Sequence, residues 1–200
     1  MKQQILIING GSTYPNYKMY VNHLKDKKID PEKIKAQLEW KTTIAGDLGD
    51  DYEVYLPKMP NVSNARYSEW KIWFESVVAV MRDDLIIVGH SLGGIFLAKY
   101  LQQNKISKKL KAIFLIAAPI GDVCNEEELV SFLLKGPLDK VISQVADITI
   151  IHSKDDVVVP VEHAAIYKEK LPNAKLVLLD KMGHFRLPHF PELVDLIKKI

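Results

Sequence analysis

The 200-residue chain has the composition of an ordinary globular protein, and its charge excludes several function classes. Hydrophobic residues make up 48% of it, which is enough to form the core of a single domain over residues 1–200. The 27 basic residues nearly balance the 25 acidic ones, so the net charge of +2 argues against a nucleic-acid partner. The single cysteine, Cys124, excludes an intrachain disulfide and favours a reducing, cytoplasmic compartment.

The first predicted element is a strand over residues 4–8, whose apolar run is too short for a signal-peptide core or a membrane span. We therefore expect no membrane association. The loop that follows it, Asn9-Gly10-Gly11-Ser12, can turn its backbone inward at the glycine pair. One interpretation of this loop is a tight turn. The other is an oxyanion site beside a nucleophile, with the N–H of Gly11 as donor and the N–H of Ser12 as the less favoured alternative.

A long segment, residues 13–48, has room for about two helices before the next strand, and it could overhang a site at the strand ends. It carries a tyrosine at every third position, which could line an acyl or alcohol pocket. A stripe with helical spacing is more typical of packing, and we favour packing for these residues. The tyrosines are Tyr14, Tyr17 and Tyr20.

The most informative stretch is Gly89-His90-Ser91-Leu92-Gly93, which follows an apolar strand and leads into a helical run. A serine at the apex of such a turn is held in strained geometry with its hydroxyl exposed, and the flanking glycines let strand and helix approach closely. This pattern indicates a nucleophile elbow with Ser91 as nucleophile and the N–H of Leu92 as an oxyanion donor. A serine that only caps the helix is the structural alternative.

The connection over residues 119–147 has room for two short helices but not for a large cap domain. Its Glu126-Glu127-Glu128 run predicts a helix start rather than a metal site, because it lacks histidine or cysteine neighbours. We expect no metal, nucleotide or flavin cofactor anywhere in the chain.

An elbow serine needs an acid and a base, which follow it in chain order in this kind of site. The β-branched run over residues 148–151 ends in a loop with two acids, Asp155 and Asp156. We favour Asp156 as the acid and assign turn chemistry to Asp155. The strand at 175–179 is followed by Gly183-His184, and we take His184 as the base. His189 is the alternative, and the remaining histidines precede the acid or begin a helix.

Strands and helices alternate along the whole chain, which predicts a mostly parallel sheet covered on both faces, a three-layer α/β/α sandwich. The predicted strands lie at 4–8, 52–56, 85–89, 112–117, 147–152 and 175–179. The predicted helices lie near 16–28, 67–81, 94–104, 126–134, 138–145, 161–170 and 190–199.

These motifs resemble, over nearly the whole length, the small serine hydrolases of the retinoblastoma-binding-protein and YdeN-like type in the α/β-hydrolase superfamily. The pieces that carry the resemblance are Gly10-Gly11, Met59-Pro60-Asn61, the helix around Trp70, the elbow, Ser153-Lys154-Asp155-Asp156 ahead of Pro160, and Gly183-His184-Phe185. The resemblance implies an α/β-hydrolase fold without a large cap and a triad of Ser91, Asp156 and His184. The chain departs from many α/β-hydrolases at Asn9, where they carry histidine.

We therefore predict a serine hydrolase that cleaves small acyl esters through a covalent acyl-enzyme. The candidate substrate contacts are Ser12, Tyr14, Met59 and Phe185. A thioesterase, amidase or acyltransferase would use the same triad. A protein-interaction module on the same scaffold is the rival from another class, because a fold alone does not fix function. No protein partner is indicated.

Overall fold

The computed structural model describes residues 1–121 and 129–200 of the chain. Its strands are β1 (Gln3–Ile8), β2 (Tyr52–Tyr55), β3 (Leu85–His90), β4 (Leu110–Ile116), β5 (Val145–Ser153) and β6 (Lys175–Leu179). Its α-helices are α1 (Tyr17–Asp26), α2 (Trp40–Leu48), α3 (Tyr67–Ala79), α4 (Leu92–Gln103), α5 (Asp139–Ile142), α6 (Glu162–Lys170) and α7 (Pro191–Lys198). Short 3₁₀ turns lie at Pro31–Ile34, Val62–Asn64 and Val130–Phe132.

The six strands form one parallel sheet in the order β2-β1-β3-β4-β5-β6. β3 is buried along its whole length, and six of the seven residues of β4 are apolar and buried. Continuous burial of this kind requires cover on both faces of the sheet, which confirms the predicted three-layer α/β fold.

Alternate residues of β1 point into two separate cores. Leu6 and Ile8 pack in a cluster with the buried faces of α3, α4 and α6. Ile5 and Ile7 pack in the opposite cluster with the apolar residues of α2 and α7. The period of two along a strand therefore divides the helices into two layers, one on each face of the sheet.

The structure corrects three helix predictions. α1 buries none of its residues, so the tyrosine stripe is not a core-packing face. The helix predicted over 126–134 is a 3₁₀ turn at Val130–Phe132, and Glu126 to Glu128 lie outside the described residues. The helix predicted over 138–145 is limited to α5, because β5 already begins at Val145. Among the described residues, no helix is long and apolar enough to cross a membrane.

Candidate active site

Ser91 lies in the sharp turn between β3 and α4 with backbone angles of φ 55° and ψ −124°. Its N–H donates to the carbonyl of Ile116 at 2.8 Å, which anchors the turn to β4. A residue other than glycine in such a conformation costs on the order of 1–3 kcal/mol. The surrounding structure therefore holds Ser91 in a strained conformation of the kind that clusters at functional sites.

The glycines around Ser91 permit contacts that no side chain would allow. A Cβ atom at Gly93 would lie 2.2 Å from the carbonyl oxygen of Ile8, and one at Gly89 would lie 2.7 Å from the carbonyl oxygen of Gly93. The first turn of α4 consequently packs directly against the carboxyl end of β1. This contact brings Ser91 beside the glycine-rich loop, where a Cβ at Gly10 would lie 3.0 Å from the Cβ of Ser91.

The loop after β1 leaves one backbone donor free. The N–H of Gly10 donates to Oδ1 of Asn9 at 2.8 Å, and the N–H of Ser12 donates to the carbonyl of Val62 at 2.8 Å. Within the described part of the chain, the N–H of Gly11 has no acceptor. The alternative donor, the N–H of Ser12, is therefore already engaged, and Gly11 is the residue of this loop that can donate to a bound oxyanion.

The second free donor lies at the start of α4. Leu92 is the first residue of the helix, and its N–H has no acceptor among residues 1–121 and 129–200. The first N–H groups of a helix lack partners within the helix and carry the positive end of its dipole. The positive end of α4 therefore directly follows the strained serine.

His184 and Asp156 form a hydrogen bond of 2.8 Å between Nδ1 and Oδ2. The other oxygen of Asp156 accepts from the N–H groups of Val158 at 2.8 Å and Val159 at 3.0 Å. Burial raises the pKa of the Asp156 carboxyl, but the hydrogen bonds from His184 and from the two N–H groups outweigh it and leave the pKa below its ordinary value. Asp156 is thus an ionised partner that leaves Nε2 of His184 available for proton transfer.

Asp155 has a different set of contacts. Its carboxylate accepts from the hydroxyl of Ser153 and from the N–H of Gly183 at 3.2 Å. The Ser153 hydroxyl in turn accepts from the N–H of Met182 at 3.1 Å. Asp155 therefore fixes the loop that carries His184 without touching the imidazole, in agreement with the turn role expected for it.

His189, the alternative base, is not brought to Ser91. Its Nδ1 lies 2.9 Å from an oxygen of Asp47 at the far part of α2, and its side chain is exposed. It lines neither of the two cavities described below.

His90, considered in the sequence only as part of the elbow, packs against His184 and lines the cavity that holds Ser91. Its ring is buried beneath His184, with ring centroids 5.0 Å apart, and its Nε2 lies 3.2 Å from the carbonyl oxygen of His184. Burial lowers the pKa of His90 well below its ordinary value, and the positive charges of Lys41 and Arg186 lower it further. A neutral ring can still donate from Nε2, which supports the backbone of the histidine loop.

Ser91 and His184 open into a cavity of about 360 Å³. Gly11 and Ser12 line it from the loop after β1. Lys35, Gln37, Glu39 and Lys41 line it from the long segment before β2, so this segment does overhang the serine. The remaining lining residues are Asn9, Gly10, His90, Val158 and Arg186. The cavity brings together a serine hydroxyl, an imidazole and the free N–H of Gly11, groups of the kind that acyl transfer requires.

A second cavity of about 860 Å³ lies next to the first, and Asn9 lines both. Met59 lines this second cavity together with Tyr17 and Tyr20, and Tyr14 packs on Tyr20 with ring centroids 5.4 Å apart. The sequence favours packing for the tyrosine stripe, but Tyr17 and Tyr20 line a cavity.

Phe185 does not occupy the position expected for a substrate contact. Its side chain is fully buried and packs on Phe190, with ring centroids 5.0 Å apart. Its carbonyl accepts a hydrogen bond of 3.1 Å from Nε1 of Trp40. With φ 54°, Phe185 turns its ring into the core while the residue before it faces the cavity, and we withdraw it as a substrate contact.

In the described ranges, no cluster of three or more histidine, cysteine, aspartate or glutamate side chains could hold a metal ion. The site consists of a serine, an imidazole, a carboxylate and backbone amides.

A family model described as serine hydrolase matches residues 35–189, more than half of the chain. The chain belongs to the serine hydrolase family. Serine hydrolase RBBP9 of Rattus norvegicus is 26% identical over 151 residues, 74% of this chain and 78% of the rat protein. Putative hydrolase YdeN of Bacillus subtilis (strain 168) is 25% identical over 140 residues, 69% of this chain and 73% of its own length.

The fold of this serine hydrolase is also found in solved structures. The crystal structure of the ydeN gene product from B. subtilis superposes with a TM-score of 0.73 at 18% identity, over 99% of this chain and 98% of that chain. The family match and these relatives confirm the resemblance to small serine hydrolases of the α/β-hydrolase superfamily.

Proposed function

We propose that this serine hydrolase cleaves small carboxylic esters through a covalent acyl-enzyme on Ser91, with His184 as general base and Asp156 as its partner. The observation that carries the proposal is the 2.8 Å hydrogen bond between His184 and Asp156 in the cavity that holds the strained Ser91. A protein that only binds a partner has no chemical need for this combination.

The reaction divides into two acyl transfers. Nε2 of His184 takes the proton of the Ser91 hydroxyl while its oxygen bonds to the ester carbonyl carbon. His184 then returns that proton to the departing alcohol, the carbon–oxygen bond breaks, and the acyl group stays on Ser91. A water molecule, deprotonated by His184, repeats the attack and releases the carboxylic acid with the serine restored.

The negative oxygen of each tetrahedral intermediate would accept hydrogen bonds from the N–H groups of Leu92 and Gly11. These donors are preorganised, so they stabilise charge that develops only during the reaction. Losing one such donor costs about 3 kcal/mol in the barrier. Ionised Asp156 holds the Nδ1–H tautomer of His184 and stabilises the imidazolium that forms.

Labelling with a fluorophosphonate tests this proposal, because the reagent reacts with a serine only when a working base activates it. We expect one adduct, mapped to Ser91, and none on the Ser91→Ala variant with an unchanged thermal transition. His184→Ala should lose labelling and His189→Ala should keep it. A folded protein that stays unlabelled, or an adduct on another residue, would contradict the proposal.

Steady-state turnover of an aryl ester provides the second readout. Ser91→Ala should lower kcat by about 10⁴-fold or more, as in other enzymes whose nucleophile is removed. Turnover that survives this substitution would remove Ser91 as the nucleophile.

A further inference from the structure

The cavity that holds Ser91 is unusually polar for a site that acts on a plain alkyl ester. Among the lining residues that belong to the described ranges 1–121 and 129–200, Val158 is the only one with an apolar side chain. The charged lining consists of Lys35, Lys41, Arg186 and the carboxylate of Glu39. A hydrocarbon acyl chain would find little apolar surface here, whereas a charged group would find partners.

Lys41 is a buried cation near the amino end of a helix, a position that is unfavourable for positive charge. It lies in the first turn of α2, where the helix dipole opposes positive charge, and its side chain is only 5% exposed. Burying a charge is costly unless it is paired. Glu39 pairs this buried charge, but the position against the helix dipole, in the cavity that holds Ser91, still breaks a local rule and indicates a functional position.

The pairing of Lys41 is incomplete. Its Nζ donates to Glu39 at 2.7 Å, and across residues 1–121 and 129–200 it has no other hydrogen-bond acceptor. The ammonium also lies 5.6 Å from the centroid of the Trp40 ring. An ammonium group has three donors, so two hydrogen bonds can still be made to a ligand in the cavity. Glu39 is 43% exposed and lies on the solvent side of the pair, so it contacts Lys41 without enclosing it.

Arg186 supplies a second cation from a different part of the chain. It follows His184 by two residues, its side chain is exposed, and its guanidinium has no acceptor in the described structure. A guanidinium can hold a carboxylate through two parallel hydrogen bonds. Lys41 and Arg186 line the same cavity as Ser91 and His184, so both cations face the reaction centre.

Resting on the proposed function, we propose that the natural substrate is an ester that carries a carboxylate, bound by Lys41 and Arg186 while Ser91 attacks the ester carbonyl. The charge count favours one carboxylate over a phosphate. Lys35 is bound to Glu32 at 2.6 Å and Glu39 offsets Lys41, which leaves one excess positive charge in the cavity.

Matched ester pairs test this proposal with the full chain. For charge on the acyl side, the 4-methylumbelliferyl monoester of adipic acid is compared with the same compound as its neutral methyl ester. For charge on the alcohol side, the hexanoate ester of 4-hydroxybenzoate is compared with that of 4-hydroxybenzamide. We expect kcat/KM for the anionic member of at least one pair to be about tenfold higher or more, as for a charge-assisted hydrogen bond.

Variants that remove one positive charge test whether Arg186 and Lys41 cause the preference for the anionic ester. Arg186→Gln and Lys41→Gln should each lower the ratio of anionic to neutral kcat/KM toward one. Lys58→Gln is the matched control, because it removes the same charge from an exposed residue that lines only the second cavity. It should keep the ratio. Arg186 is exposed, so its variant tests the proposal even if Lys41→Gln lowers the thermal transition.

The outcomes separate the two proposals. Ser91-dependent turnover with a ratio near one in both pairs, or a ratio that Arg186→Gln and Lys41→Gln leave unchanged, overturns the carboxylate proposal and leaves ester hydrolysis standing. Turnover that is absent, or that survives Ser91→Ala, removes the proposed function and this inference with it. The pair with the larger ratio identifies the side of the ester that carries the charge.

Discussion

Asp155 and Asp156 are adjacent in the chain, yet one contacts the imidazole of His184 and the other holds the backbone of its loop. We predict that Asp156→Asn lowers kcat for an ester by about 10⁴-fold, because an amide no longer fixes the required imidazole tautomer or stabilises the imidazolium. Asp155→Asn should lower kcat far less. Steady-state kinetics on both variants, with thermal melts to verify folding, gives the comparison.

The reverse order of losses would reassign the acid to Asp155. Equal losses would mean that loop geometry, rather than the charge at His184, limits the reaction. The Asp156 side chain is fully buried, so in the Asp156→Asn variant water cannot replace the hydrogen bond to His184.

At the residue scale, the sequence suggests which residues are the acid and the base but does not reveal the side chains that surround them. Chain order predicts an acid and a base on later strand-end loops. Turn chemistry favours Asp156 over Asp155 as that acid, and the structure joins Asp156 to His184 by a hydrogen bond. Chain order does not predict that Lys41, Arg186 and His90 line the cavity, because contacts between distant segments bring them there. Phe185 shows the same limit, because only the left-handed backbone at that residue sends its ring into the core.

At the element scale, α4 depends on a backbone contact with β1 that only glycine permits. We predict that Gly93→Ala is strongly destabilising, because its Cβ would lie 2.2 Å from a carbonyl oxygen of β1 and neither backbone can move freely. The measurement is the free energy of unfolding in urea. Displacement of α4 would also disturb Ser91, so fluorophosphonate labelling should fall.

Gly46→Ala is the matched control for that substitution. Gly46 is an exposed residue of α2, and a Cβ there would meet no atom within 4 Å. The change should stabilise the protein by roughly 0.5–1 kcal/mol, because alanine loses less backbone freedom than glycine in a helix. A Gly93→Ala variant as stable as Gly46→Ala would disprove the close packing of α4 on β1.

The strands are more predictable from the sequence than the short helices. β3 and β5 are apolar runs whose ends the sequence locates within two residues. α5 and the 3₁₀ turn at Val130–Phe132 are too short to be stable alone, so tertiary contacts decide where they begin and end. The tyrosines of α1 have a helical spacing that cannot distinguish a core face from a cavity wall.

At the scale of the whole molecule, the site assembles because parallel strands end at one edge of the sheet. Gly11, Ser91, Asp156 and His184 follow β1, β3, β5 and β6 respectively. Alternating strands and helices predict such an edge, and ligands bind there in open parallel sheets. The strand order that places β1 beside β3 is set by long-range pairing and has no local sequence signal.

The whole molecule also contains three buried histidines, His90, His152 and His163. Burial lowers the pKa of each, and hydrogen bonds to backbone carbonyls only partly offset this effect. The unfolded chain has ordinary histidines with a pKa of about 6.5. Below that pH the unfolded state therefore binds more protons than the folded state, and acid favours unfolding.

We accordingly predict that the free energy of unfolding, measured in urea, falls as the pH is lowered from about 6.5 to 4.5. The slope is at most about 1.4 kcal/mol per pH unit for each histidine. Asp156 affects the free energy of unfolding in a different pH range, because the stability that its lowered pKa provides is lost only below a pH of about 4. His163→Gln and His152→Gln should each reduce the slope above pH 4.5. A stability that stays flat across this range would show that the three rings accept protons without unfolding, contrary to their burial.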